Sequence, residues 1–157
     1  MRVVTVSSSR HEKRRAGEEP TDEAGDVAVA EVQGAGHQVT ARVLVSDDAV
    51  MLRHEVEGFL EGTDDVLLLT GGTGVSSRDI TIETVRPYFE KELPGFGELL
   101  RRVSYPEIGS AAILTRATAG VAKGKLLVCM PGSPNAVKTA LQASMGEFPH
   151  ALFVARK

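Results

Sequence analysis

Four residues with no polar position among them, Val66-Leu67-Leu68-Leu69, stand between Asp64-Asp65 and the glycines of Thr70-Gly71-Gly72-Thr73-Gly74. A half-exposed strand alternates apolar and polar side chains. A strand that is apolar throughout needs cover on both faces, as a central strand has in a sheet flanked by two helical layers. That requirement points to strands alternating with helices rather than to an antiparallel sheet with one wet face.

The rest of the chain supplies the alternation. Arg2 to Ser7 reads as a β-branched strand, and the charged stretch from Arg10 to Thr21, which contains Pro20, as a mobile loop. Asp22 can cap a helix running to about Gln33, with Gly34 and Gly36 ending it. Val39, Ala41, Val43 and Val45 alternate as a strand does, and Ser46 to Asp48 opens a second helix with Leu52, Val56, Phe59 and Leu60 on one face. Beyond the glycines, Ile80 to Phe89 and Phe96 to Val103 read as helices. Ala117 to Val121 and Lys125 to Met130 read as strands joined by a short turn at Gly124, which requires antiparallel pairing. Pro131-Gly132 ends the last strand, and Ser133 caps a final helix with Pro134 at its first position. The expected fold is α/β, a mainly parallel sheet with helices on both faces and one antiparallel strand.

Composition narrows the function classes. The chain has 157 residues, 42% of them hydrophobic and 25% charged, which suits one folded domain spanning residues 1–157. A net charge of −3 argues against nucleic acid or an anionic membrane as partner, so an anionic ligand needs a local site. No apolar run is long enough to span a membrane, and the start has no signal-peptide layout, so the expected location is the cytoplasm. Cys129, the only cysteine, falls inside an apolar strand pattern and reads as core. His11, His37, His54 and His150 lack ligand-like spacing.

Ligands of such sheets bind beyond the carboxyl ends of the strands, where three loops carry unusual residues. Consecutive glycines in Thr70-Gly71-Gly72-Thr73-Gly74 let backbone N–H groups cradle an anion, and Ser76, Ser77, Arg78 and Asp79 follow closely. No Gly-Lys-Ser/Thr follows, so this is not a P-loop. Pro131-Gly132-Ser133-Pro134-Asn135 opens a helix whose free N–H groups suit a phosphate, although Ser133 also serves as an ordinary cap. Ser46-Asp47-Asp48 offers acids that either complement a helix dipole or, with Asp79, supply oxygens to Mg²⁺. Anion-binding loops and carboxylates without an obvious nucleophile point to phosphoryl or nucleotidyl transfer. The basic run Arg10, His11, Lys13, Arg14 and Arg15 is either solvated or able to fold over a phosphate-bearing ligand.

In chain order, Leu69-Thr70-Gly71-Gly72-Thr73-Gly74, Arg78-Asp79, Leu93-Pro94-Gly95-Phe96-Gly97-Glu98 and Met130-Pro131-Gly132-Ser133-Pro134 resemble the molybdopterin-binding family of the MoaB and MogA type, closer to the MoaB branch. The resemblance covers nearly the whole chain. It implies a three-layer α/β/α sandwich assembled as a homo-oligomer, trimer or hexamer. It also implies a nucleotidyltransferase of molybdenum cofactor biosynthesis, which adenylylates molybdopterin with ATP and Mg²⁺ and releases pyrophosphate. Residue by residue, the family's two functional aspartates fall on Asp47 and Asp79, which would help hold Mg²⁺. The substrate loops fall on Thr70, Gly71, Gly72, Thr73 and Gly74, followed by Ser77 and Arg78, and on Pro131, Gly132 and Ser133. Two positions depart from the pattern: Ala24 replaces a hydroxyl residue, and Ser8 stands where Asp or Asn is common.

Those departures sustain an alternative, a non-catalytic or weakly active molybdopterin-binding or assembly protein on the same fold. A related metal-insertion domain or competence-damage-type pyrophosphatase shares the glycine loop. Those belong to longer chains, and the pyrophosphatase type carries paired aspartates where this chain has only Asp79.

Overall fold

A computed structural model describes all residues, 1–157, and contains a six-stranded sheet of order β2-β1-β3-β6-β5-β4. Strands β1 (Arg2–Val6), β2 (Ala41–Val45), β3 (Val66–Thr70) and β6 (Lys125–Met130) pair in parallel. Strand β5 (Thr118–Ala122) runs against both its neighbours, β6 and the two-residue β4 (Lys91–Glu92). The turn between β5 and β6 uses Lys123 and Gly124, both at positive φ (50° and 68°), the geometry a tight hairpin demands.

Side-chain alternation along the strands divides the core in two. Val3, Val66, Leu68, Leu126, Val128 and Met130 face α2 (Glu23–Gly34), α5 (Pro94–Ile108), α6 (Pro134–Ser144) and the start of α7 (Phe148–Ala155). Val4, Val6, Leu67, Leu69, Leu127 and Cys129 face α3 (Ala49–Glu61) and the short α4 (Thr81–Val85). Every residue of β3 is buried, as its composition requires. The three layers are therefore helix, sheet and helix.

Several expectations need correction. The first half of the stretch read as a mobile loop, Arg10 to Arg15, belongs to helix α1 (Ser8–Arg15). Ser7 caps it by accepting from Arg10 N–H, and Lys13, Arg14 and Arg15 complement the dipole in its last turn. None of its residues is buried, so it carried no apolar period to read. The helix expected over Ile80 to Phe89 stops at Val85 and tightens into a 3₁₀ turn, Arg86–Tyr88, around Pro87. Helix α5 extends beyond its expected end to Ile108. The motif Leu93 to Glu98 starts α5 and is a packing device: a Cβ on Gly97 would lie 2.4 Å from the Ala117 carbonyl oxygen.

The order of connections places the ligand crevice. The chain leaves β1 for β2 on one side and returns across β1 to β3 on the other, with α2 and α3 on opposite faces. The strand order therefore reverses at β1 and β3, whose carboxyl ends bound the cleft characteristic of doubly wound sheets.

Candidate active site

A cleft of about 760 Å³ opens at those carboxyl ends. It is lined by Ser7, Ser8 and Ser9 after β1, Asp47 after β2, Gly71 to Gly74 with Ser76, Arg78 and Asp79 after β3, and Pro131, Gly132 and Ser133 after β6. The loops meet backbone to backbone. Gly71 has φ +98°, and a Cβ there would lie 2.3 Å from the Val6 carbonyl oxygen; one on Gly132 would lie 3.0 Å from the Gly71 Cα. Only glycine permits this approach.

The glycine loop has a defined polarity. Thr81 Oγ donates to the Gly71 carbonyl at 2.9 Å, Thr81 N–H to the Gly72 carbonyl at 2.9 Å, and Arg116 Nη1 to the Gly74 carbonyl at 2.8 Å. The N–H groups of Gly72, Thr73 and Gly74 find no acceptor within the chain. The three glycine carbonyls are tied back and donors are left over, an arrangement that suits an anion.

The acids have separate duties. Asp48 caps α3, accepting from Val50 and Met51 N–H at 2.9 Å each, while Asp47 turns to the cleft. Asp47 Oδ2 accepts from Ser8 N–H at 3.0 Å and Ser8 Oγ at 2.7 Å; Asp47 N–H returns a bond to Ser8 Oγ at 3.1 Å. Ser8 thus holds Asp47 in place and leaves its Oδ1 without a protein partner. Asp79 Oδ2 accepts from Ser76 N–H at 2.9 Å, closing the turn beyond the glycines. Ile80, not Asp79, occupies the N-cap of α4.

Two expected ligand residues lie outside the cleft lining. The fully buried Thr70 donates its hydroxyl to the Pro131 carbonyl at 2.8 Å, joining two site loops from beneath, and Ser77 faces solvent beside the cleft. The basic run also stays out: Arg10 Nε bonds the Thr21 carbonyl at 2.7 Å, and only the serines at the start of α1 line the cleft. Ala24 is buried in the core between α2 and the sheet and does not line the cleft, so the missing hydroxyl removes nothing from the lining. Cys129 is fully buried, and that burial pushes its thiol up to about 12, which disqualifies it as a nucleophile. Sequence reading missed the opposite wall, where Ser104, Glu107, Leu114, Thr115 and Arg116 face the loops. Its one available signal was the i, i+3 spacing of Ser104 and Glu107 near the end of a helix.

Fold and cleft together define a doubly wound α/β protein with a glycine-lined cleft at its switch point. A family model described as a probable molybdopterin binding domain matches residues 2–150, and the chain belongs to that family. It is 42% identical to molybdenum cofactor biosynthesis protein B of Bacillus subtilis, over 99% of this chain and 89% of that protein. It is 41% identical to a molybdopterin adenylyltransferase of Pyrococcus furiosus, over 99% of this chain and 90% of that one. The crystal structure of the tungsten cofactor synthesizing protein MoaB from Pyrococcus furiosus superposes with a TM-score of 0.87 at 38% identity, covering 99% of this chain and 96% of that one. No helix is long and apolar enough to cross a membrane.

Proposed function

We propose that this protein is a molybdopterin adenylyltransferase acting in molybdenum or tungsten cofactor synthesis. The observation that carries the reading is the glycine loop with three carbonyls tied back and three N–H groups unpaired, lining one cleft with two carboxylates beside it. In the reaction, an oxygen of molybdopterin's terminal phosphate bonds to the α-phosphorus of ATP, the bond from that phosphorus to the leaving pyrophosphate breaks, and adenylyl-molybdopterin results. Gly72, Thr73 and Gly74 N–H would bind phosphate oxygens, and the start of α6 at Ser133 would bind a second anionic group. Arg78 adds positive charge where the transferring group is most anionic.

The residues fit Mg²⁺ arriving with the nucleotide. Asp47 and Asp79 each use Oδ2 within the protein, and neither Oδ1 has a protein partner. No group of three or more His, Cys, Asp or Glu side chains that could hold a metal ion is present, so phosphate oxygens and water would have to complete the coordination. Bound there, Mg²⁺ would neutralise charge on the transferring phosphoryl group. Asp47 and Asp79 would orient the reactants, Asp47 through the rigid lock to Ser8.

The non-catalytic alternative rested on Ala24 and Ser8. Ala24 lies in the core, and Ser8 supports Asp47, so neither position argues for lost turnover. Incubation with molybdopterin, ATP and Mg²⁺ tests the reading. Pyrophosphate and adenylyl-molybdopterin are expected in equal amounts; tight molybdopterin binding without pyrophosphate release would establish the binding-protein alternative instead.

A further inference from the structure

Arg116 lies just before β5, on the wall that faces the glycine loop, and its guanidinium joins three segments. Nη1 donates to the Gly74 carbonyl at 2.8 Å, while Nη2 forms a hydrogen-bonded ion pair with Glu83 on α4. Glu83 does not line the cleft. Burial acts to raise the Glu83 pKa, but the Arg116 hydrogen bond and charge override it and hold the carboxyl below its ordinary range. The pair is a fork anchored at one end, and its other tine reaches the last carbonyl of the loop.

That carbonyl is the one of the three held from outside the loop and α4. Gly71 and Gly72 are held by Thr81 on α4 itself, whereas Gly74 has Arg116 alone. A peptide is planar and trans, so a carbonyl drawn to one side directs the next N–H, that of Val75, to the other. The glycine makes rotation of this peptide cheap, and a rotated Gly74 oxygen would place a negative dipole among the anion-binding donors. The same glycine sits against Asp79, since a Cβ there would lie 2.8 Å from Asp79 Oδ2. We infer that Arg116, oriented by Glu83, is a positioning residue that keeps the Gly74 carbonyl out of the anion site and the Asp79 turn in register. The inference rests on the adenylyltransferase reading for its ligand, but not for its geometry.

The test uses Arg116→Gln, Arg116→Lys and Glu83→Gln in the whole protein, with two readouts. Hydrogen exchange in ligand-free protein follows the bonded amides of the loop, those of Ser76, Asp79 and Thr81, and fluorescence titration follows molybdopterin affinity. Losing a hydrogen bond from a charged group predicts an affinity about tenfold weaker for Arg116→Gln. Glu83→Gln should weaken affinity in the same direction but less, Arg116→Lys should restore part of the loss, and loop exchange should quicken in step. Unchanged or tighter binding by Glu83→Gln would overturn the inference, because an arginine that contacts the ligand directly loses nothing when its tether is cut. Unaltered loop exchange in Arg116→Gln would overturn it as well. If wild-type protein binds no molybdopterin, the ligand reading fails, and the exchange data still decide whether Arg116 orders the loop.

Discussion

Asp79 stands one residue before the cap of α4 and spends one carboxylate oxygen on the Ser76 N–H at 2.9 Å. Asparagine can keep that bond through its own oxygen, so Asp79→Asn should leave the fold and molybdopterin affinity close to wild type while removing the charge. Lost transition-state charge stabilisation of this kind is worth ~3 kcal/mol, on the order of a hundredfold in rate. Single-turnover AMP transfer from labelled ATP, run beside a binding titration, checks it; near-wild-type turnover would remove the carboxylate from the chemistry. Gly72 makes a different demand. Its φ is +61°, and a Cβ would lie 2.4 Å from Thr81 Oγ and 2.6 Å from Asp47 Oδ1. The glycine thus makes room for the site's own groups, and any side chain displaces them before it meets a ligand. Gly72→Ala should cost about 1–3 kcal/mol of stability, the range for a residue held in a strained backbone region. Urea denaturation measures that loss, and Gly72→Ala unfolding at the wild-type midpoint would contradict the packing. Cys129 carries a pH dependence. Its thiol rises from an ordinary 9.0 to about 12, so the folded state favours the protonated form. That contribution is complete below the unfolded value and is lost as pH climbs from 9.0 to about 12. A Cys129→Ala variant should show a smaller alkaline loss of stability across that window than wild type.

At the scale of elements, legibility followed burial. The β3 run, the α3 stripe of Leu52, Val56 and Phe59, and the Ser133-Pro134 start of α6 were readable because apolar period and cap chemistry agree there. Helix α1 was not readable, since it buries nothing and its stability comes from the Ser7 cap and its end charges. The edge strand β4 has two residues, both exposed, and exists only because Glu92 and Lys91 find β5 in space. The same division applies to the site: its loops carry glycine motifs, whereas the facing wall at the end of α5 is assembled by tertiary packing and leaves only a faint mark in sequence. Asp22 shows how much one cap can carry. It accepts from Gly25 N–H at 3.1 Å to start α2, from Thr5 Oγ on β1 at 2.8 Å, and from Arg42 Nη2 on β2 at 2.9 Å. Burial acts to raise its pKa, and the bonds from Arg42, Thr5 and Gly25 override it, leaving the group below its ordinary 3.8. A depressed carboxyl stabilises the fold above its unfolded pKa and stops doing so as pH falls through the folded one. Asp22→Ala should therefore cost about 1–2 kcal/mol near neutrality through the lost cap. The gap from wild type should close below pH 3.8. Urea titrations at neutral and acid pH check both parts, and a gap unaltered by acid would detach Asp22 from the ionic network.

At the scale of the whole molecule, family resemblance implies a trimer or hexamer, and the chain's surface offers a place for contact. The small residues of Ser110-Ala111-Ala112 and Ala136 to Ala143 could permit close helix packing. Within those stretches, Ala112, Val137, Ala140 and Leu141 are spent on the chain's own core. Beside scattered exposed apolar residues such as Val50, Val75 and Phe153, a group of them lies at the end of α5 and in the 3₁₀ turn Gly109–Leu114, where Ile113 is 84% exposed, Tyr105 62% and Leu114 59%. Burying large apolar side chains is worth about 1.5–3 kcal/mol each, so a few of them repeated around a closed ring can hold subunits together. Light scattering at micromolar concentration should give a multiple of the 16.7 kDa chain mass for wild type. Ile113→Asp should shift that mass toward the monomer, because a charge there could be solvated only in the separated subunit. Ile113 does not line the cleft, so the dissociated variant should keep its affinity for molybdopterin. Loss of affinity on dissociation would mean that a neighbouring copy helps to form the site, and a wild-type mass of one chain would remove the oligomer altogether.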